Sequence, residues 1–200
     1  MWESERLGKL QLVGIKSFEI IDYEGWMMGE YFDNLCRAME MCAAQPRAVF
    51  LGQAVAYPGT AMTNTFKNIP REYLIEMPVA EDMQLGMATG MAINGDFPIC
   101  IYPRINFLLL AVNQLVLHLD KLPMYSKYRP KVLIRTAIAT DVPMDPGPQH
   151  LGDFTQALRW MCRTIEVVRL PTADTIIPEY ERALKRNGST VLVELSEQYA

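Results

Sequence analysis

Met77-Pro78-Val79-Ala80-Glu81-Asp82-Met83-Gln84-Leu85-Gly86-Met87-Ala88-Thr89-Gly90-Met91-Ala92 decides the fold class. A short apolar run, Tyr73-Leu74-Ile75-Glu76-Met77-Pro78, leads into it, and a helix rich in small residues follows. Glu81 stands where the predicted strand gives way to the helix. In a parallel α/β sheet, ligands bind at the carboxyl ends of the strands. Two readings of Glu81 stand side by side. As a carboxylate in the first turn of a helix it opposes the macrodipole, worth about 0.3–1 kcal/mol. As a site residue it belongs to the class of acids whose pKa apolar neighbours raise into a range useful for proton transfer.

Outward from this junction, strand and helix patterns alternate. Upstream, Tyr31, Leu35, Ala38, Met39 and Cys42 recur at helical spacing from Gly29, and Pro46 stops the helix. Ala48-Val49-Phe50-Leu51-Gly52 is a continuous apolar run, as suits a parallel strand covered on both faces. Downstream, the patterns predict a helix over 81–94, a Gly95-Asp96 turn, a strand over 97–102 and a long helix over 107–121. A strand over 131–138 leads to a Pro/Gly-rich loop, 141–152, after which Asp153 caps a helix over 154–163. A strand over 166–170, a helix over 175–186 closed by Gly188 as its C′ residue, and a strand over 190–195 complete the pattern. Six strands separated by helices predict a three-layer α/β/α fold with a mostly parallel six-stranded sheet. Residues 1–28 pattern weakly, with short strands at 10–13 and 18–21, and read as an N-terminal extension to a domain spanning 29–200.

Composition narrows the function classes. Half of the 200 residues are hydrophobic and 21 % are charged, so a sizeable core is expected and disorder is not. The net charge of −4 and the lack of a long basic run argue against nucleic acid as a partner. Cys36, Cys42, Cys100 and Cys162 form no CxxC pair and lie in apolar stretches, as buried free thiols in a reducing compartment do. His118 and His150 are the only histidines, and without a Cys/His cluster no transition-metal site is expected. The acidic start, Met1-Trp2-Glu3-Ser4-Glu5-Arg6, lacks the apolar core of a signal peptide. The longest apolar run, 105–119, is broken by Asn106, Asn113, Gln114 and His118 and is too short and polar to span a bilayer. A cytoplasmic protein is expected.

Two further features carry paired readings. Gly86 and Gly90 share one helix face, and each costs about 1 kcal/mol against alanine. A close intrachain contact or a helix–helix subunit interface flanked by Met83, Met87 and Met91 would offset that cost. His150, in Pro146-Gly147-Pro148-Gln149-His150-Leu151-Gly152, is either a surface loop residue or a group that faces substrate and handles a proton. His118, inside an amphipathic helix, reads as structural. No Walker A loop, GxGxxG fingerprint or GxSxG elbow occurs, so the phosphate-holding half of a cofactor enzyme is missing.

From about Gly29 to Tyr199 the chain resembles the pyrimidine-binding (PYR) domain of thiamine-diphosphate enzymes. The likeness is nearest to the beta subunit of 2-oxo acid dehydrogenase decarboxylase components, such as pyruvate dehydrogenase, and extends to transketolase. Gly29-Glu30-Tyr31-Phe32 through Gly52 resembles the family's opening helix and first strand. Met77-Pro78-Val79-Ala80-Glu81 resembles its "TPI(A/S)E" segment, and 86–92 its glycine interface helix. Phe97-Pro98-Ile99-Cys100, Asn113-Gln114, Gln149-His150 and Val191-Leu192-Val193-Glu194 match later family segments in order.

The resemblance implies roles. Glu81 would hydrogen-bond the aminopyrimidine ring nitrogen para to the amino group, favouring the imino tautomer that deprotonates the thiazolium carbon. His150 would lie near the reacting substrate. Gln53, Ile105, Asn106 and Phe107 would lie near the cofactor. Three departures stand out. The family's acidic "GE(D/E)V" reads Gly52-Gln53-Ala54-Val55, the aromatic expected against the pyrimidine is Ile105, and the chain reaches Ala200 without a transketolase C-terminal domain. Gly95-Asp96-Phe97 and Gly152-Asp153-Phe154 fail the Gly-Asp-Gly motif of the pyrophosphate-binding (PP) domain that holds the metal. The resemblance therefore implies thiamine diphosphate, with Mg held mainly by a separate PP-domain subunit in a heterotetramer, acting on a small 2-oxo acid. A dehydrogenase beta subunit is one alternative, and a non-catalytic PYR-like scaffold is another.

Overall fold

The computed structural model describes residues 29–58, 60–141 and 145–199, so the expected extension 1–28 and its two strands lie outside the described residues. Helix α1 (Glu30–Ala43) turns Tyr31, Phe32, Leu35, Ala38, Met39 and Cys42 inward, as their helical spacing requires. It leads to β1 (Ala48–Gly52), and 3-10 turns at Ala61–Phe66 and Arg71–Tyr73 then carry the chain to β2 (Leu74–Glu76). Next come α2 (Glu81–Ile93), β3 (Phe97–Tyr102), a run of short helices, β4 (Leu133–Ile138), α5 (Thr155–Met161), β5 (Glu166–Arg169), α6 (Ala173–Lys185) and β6 (Thr190–Leu195).

The six strands form one all-parallel sheet in the order β2-β1-β3-β4-β6-β5. All six side chains of β3, β4 and β6 are buried, because helices cover both faces. One apolar cluster joins α1 and α6 to Phe50, Ile99, Leu133 and Leu192. The other joins α2 and the short helices to Leu51, Cys100, Ile134 and Val191. The chain steps from β1 outward to β2, then returns to place β3 on the other flank of β1. That reversal is a topological switch point, where the crevice beyond the strand ends is open to a ligand.

The expected single helix over 107–121 is replaced by α3 (Ile105–Leu108), a 3-10 turn (Leu109–Ala111), a π-helical segment (Asn113–Leu119) and α4 (Leu122–Tyr125). The two halves meet at 54°. The wide turn, closed by Asp120 N donating to Leu115 O at 2.9 Å, keeps Leu115 and Leu119 on the core while Asp120 points elsewhere. Its carboxylate accepts the amides of Arg163, Thr164 and Ile165 at 2.7–2.9 Å. That tertiary demand is invisible to local periodicity.

Other differences are at element ends. The helix expected over 154–163 is the shorter α5, with Asp153 Oδ1 accepting from Thr155 N at 2.9 Å beside its start. Helix α6 begins two residues before the expected 175, because Thr172 and Thr175 form a reciprocal capping box. Gly188 lies beyond its end with φ 141°.

Candidate active site

Three strand ends and one loop converge on the carboxyl edge of the sheet. Glu81 opens α2 just beyond β2, Gln53 follows β1, Ile105–Phe107 follow β3, and His150 lies on the loop after β4. The isolated bridge Ala139↔Leu151 ties that loop back beside the end of β4.

Glu81 is only 5 % exposed. Its Oε1 accepts from Gln53 Nε2 at 3.2 Å, and its backbone carbonyl accepts from Tyr102 Oη at 3.0 Å. Its Oε2 has no hydrogen-bond partner among the described residues. One turn on, Gln84 is fully buried and donates through Nε2 to Ile101 O at 2.8 Å and Leu51 O at 3.3 Å. This clamps the start of α2 to β1 and β3 and so sets where the Glu81 backbone lies. The signal in the sequence is an amide one helical turn after Glu81, within an otherwise apolar stretch.

The loop carrying Gln53 has its own anchor. Glu76, at the end of β2, accepts the backbone N–H groups of Ala54, Val55 and Ala56 at 2.6, 3.1 and 2.8 Å. Ala54 adopts φ 52°, unusual for a residue with a side chain, and its carbonyl accepts from Thr63 Oγ1 at 2.6 Å. Charge-assisted bonds to three successive amides offset that strain. An acid inside an apolar strand was the available clue.

The second half of the site centres on His150. Asn106 Nδ2 lies 3.2 Å from His150 Nδ1, and the Phe107 and His150 rings meet edge-on with centroids 5.5 Å apart. With the amide as donor, Nδ1 accepts and the neutral ring carries its proton on Nε2. Asn106 Oδ1 is buried without a partner among the described residues. Ile105, by contrast, is fully enclosed in the core and offers a ligand no surface. Arg104 precedes it, part-buried and without an ion pair among the described residues, and burial lowers its pKa.

The two glycines of α2 separate. A Cβ on Gly86 would meet Gln114 at 3.6 Å, which is the intrachain contact, whereas Gly90 faces open space. Near Gly90, Met83 and Met87 are exposed, as is Leu110 on the adjoining helical run. His118 is on the surface. Among the described residues, no group of three or more His, Cys, Asp or Glu side chains is arranged to hold a metal ion.

The comparisons with known proteins agree with the fold. The family model for the transketolase pyrimidine binding domain matches residues 36–200. A solved structure described as a split-gene transketolase in an inactive beta4 tetramer superposes with a TM-score of 0.60 at 18 % identity, over 82 % of this chain. A thiamin diphosphate-dependent enzyme, so described, from Mycobacterium smegmatis superposes at 0.56 and 15 % identity over 84 %. The chain spans 49 % of the first neighbour's length and 32 % of the second's. No curated protein sequence matches it. At these identities the neighbours speak to the fold, and the family model, covering most of the chain, identifies it: the protein belongs to the transketolase pyrimidine-binding domain family.

Proposed function

We propose that this chain is the pyrimidine-side subunit of a split thiamine-diphosphate-dependent enzyme, active with a PP-domain partner that holds the diphosphate and Mg, and acting on a small 2-oxo acid. The observation that carries the proposal is Glu81. Its carboxylate is nearly enclosed at the carboxyl edge, with one oxygen held by Gln53 and the other without a partner among the described residues. The residues fit an aminopyrimidine: the orphaned Asn106 Oδ1 is an acceptor for its amino N–H, and the open Glu81 oxygen would share a proton with its ring nitrogen. Bound thiamine diphosphate supplies an electron sink for cleavage beside a carbonyl.

The chain's own contribution is then positional and protonic. Glu81 would hold a proton at the pyrimidine ring nitrogen, and Gln53 would fix the carboxylate's orientation. His150, with its Nε2 hydrogen free, would donate to a developing oxyanion of the substrate. The exposed face around Gly90, Met83 and Met87 would take a subunit contact. Location in the cytoplasm and a two-plus-two assembly belong to the same proposal.

A second reading, a PYR-like scaffold without catalysis, draws on specific residues. Gln53 and Ala54 replace family acids, and Ile105 is walled into the core where the family would offer an aromatic. The test is affinity purification of the chain from its native source with mass spectrometry, then deuterium exchange at the thiazolium carbon in the recovered complex. We expect a Gly-Asp-Gly-bearing companion and exchange about 100-fold or more above free cofactor, lost in Glu81→Ala. Exchange at the free-cofactor rate in the wild-type complex would establish the scaffold reading instead.

A further inference from the structure

The opposite edge of the sheet holds a cavity of about 320 Å³ that the catalytic proposal does not use. Its walls come from the segments entering β4, β5 and β6, and they carry Arg129, Arg163 and Arg186 with no carboxylate among the lining residues. A six-residue strand at about 3.3 Å per residue separates this edge from the one bearing Glu81 by roughly 20 Å.

Two of the three guanidinium groups, those of Arg129 and Arg163, have no carboxylate partner among the described residues. Among the described residues, Arg129 Nη1 donates only to the carbonyls of Ser126 and Tyr128, both at 3.2 Å. Arg186 lies 3.3 Å from Glu166, a carboxylate outside the lining that Arg182 also binds. In a chain of net charge −4, such a cluster is not a by-product of a basic surface.

The cavity is also built rather than incidental. The buried Asp120 carboxylate holds the Arg163–Ile165 backbone through three amides. Ser189 Oγ donates to Pro130 O at 2.8 Å and accepts from Val132 N at 3.1 Å, joining the entries of β4 and β6. Arg186 Nη2 donates to Thr164 O at 2.7 Å across the cavity wall. A Cβ on Gly188 would stand 2.6 Å from Arg186 Nη1, so a glycine is what lets this guanidinium lie over the turn. Guanidinium groups around a concave space whose backbone is held in this way match the oxygens of a phosphate through paired charge-assisted hydrogen bonds.

We propose that this cavity is a binding site for a small phosphate ester, separate from the cofactor edge. The test is titration calorimetry of the full chain with inorganic phosphate and with glycerol 2-phosphate. Saturable one-to-one binding is expected with both probes, tighter for the ester, weakening as salt rises. Arg163→Ala and Arg129→Ala, exposed positions whose loss leaves the fold intact, should each weaken it about tenfold or more. Glu81→Gln should leave it unchanged. Failure to saturate at millimolar probe, full affinity in both arginine variants, or loss of binding in Glu81→Gln would each overturn the proposal.

Discussion

Arg135→Met should be among the most damaging single substitutions in this protein. Arg135 on β4 and Glu194 on β6 are both fully buried, on the sheet face covered by α1 and α6. The strand register sets Arg135 opposite Leu192 and Ala137 opposite Glu194, so the two charges are diagonal neighbours on one face. The guanidinium meets the carboxylate twice, Nε to Oε1 at 2.5 Å and Nη2 to Oε2 at 2.9 Å, and its Nη1 donates to Thr65 Oγ1 at 2.6 Å. Tyr180 donates to Glu194 at 3.2 Å, Tyr199 donates to its other oxygen, and the Phe66 ring lies 5.4 Å from the guanidinium. Burial is the largest single influence and opposes the arginine's charge, but Glu194, Tyr180 and Tyr199 together outweigh it and raise the arginine's pKa.

Removing the arginine leaves a carboxylate in the core with only two phenolic donors, a loss of about 3–5 kcal/mol. Against a total stability of about 5–15 kcal/mol, that is a large fraction. For a chain of this size it corresponds to a melting temperature lower by roughly 6–20 °C. The assay is urea unfolding at pH 7 of the wild type, Arg135→Met, Glu194→Gln and the double variant, with unchanged slope as the control on two-state behaviour. Glu194→Gln keeps an acceptor for the tyrosines while removing the charge. The double variant should therefore be less damaged than the sum of the singles by about 1–3 kcal/mol. Strict additivity, or an Arg135→Met loss below about 1 kcal/mol, would refute the claim that these charges depend on each other.

Three further outcomes are expected. Gly52→Ala should destabilise by about 1–3 kcal/mol in thermal melts, because its Cβ would sit 2.5 Å from Ile101 O on the neighbouring strand. Gly90→Ala should stabilise the separate chain by about 0.8–1 kcal/mol, since no atom lies within 4 Å, while Gly90→Trp should shift the assembly toward smaller species in sedimentation velocity. Wild-type assembly indifferent to tryptophan there would exclude this face as an interface. Burial pushes the Cys42 and Cys100 thiols up to about 12 from 9.0, so both should resist a thiol reagent at pH 8 until urea is added. The folded state favours the neutral thiol, so the stabilisation is complete below pH 9 and declines as pH climbs toward 12.

The alternation of apolar runs with helical stripes was enough to read a three-layer α/β/α domain. Phe97–Tyr102 and Thr190–Leu195 are continuous buried runs, and Ala48–Gly52 is buried but for the half-buried Val49, a pattern that requires cover on both faces. Glu81 was legible for the same reason: an acid just past a strand end stands at the edge where such sheets bind ligands. Tertiary structure alone decided the order β2-β1-β3-β4-β6-β5, the break in the helix near Asn113 and the enclosure of Ile105. It also decided the pairing of Asn106 with His150 across 44 residues and that of Arg135 with Glu194 across 59. Periodicity records which face of each element is apolar, a property of neighbours in sequence. Which elements then lie side by side, and which polar groups meet, depends on contacts between distant segments, and no local pattern encodes those.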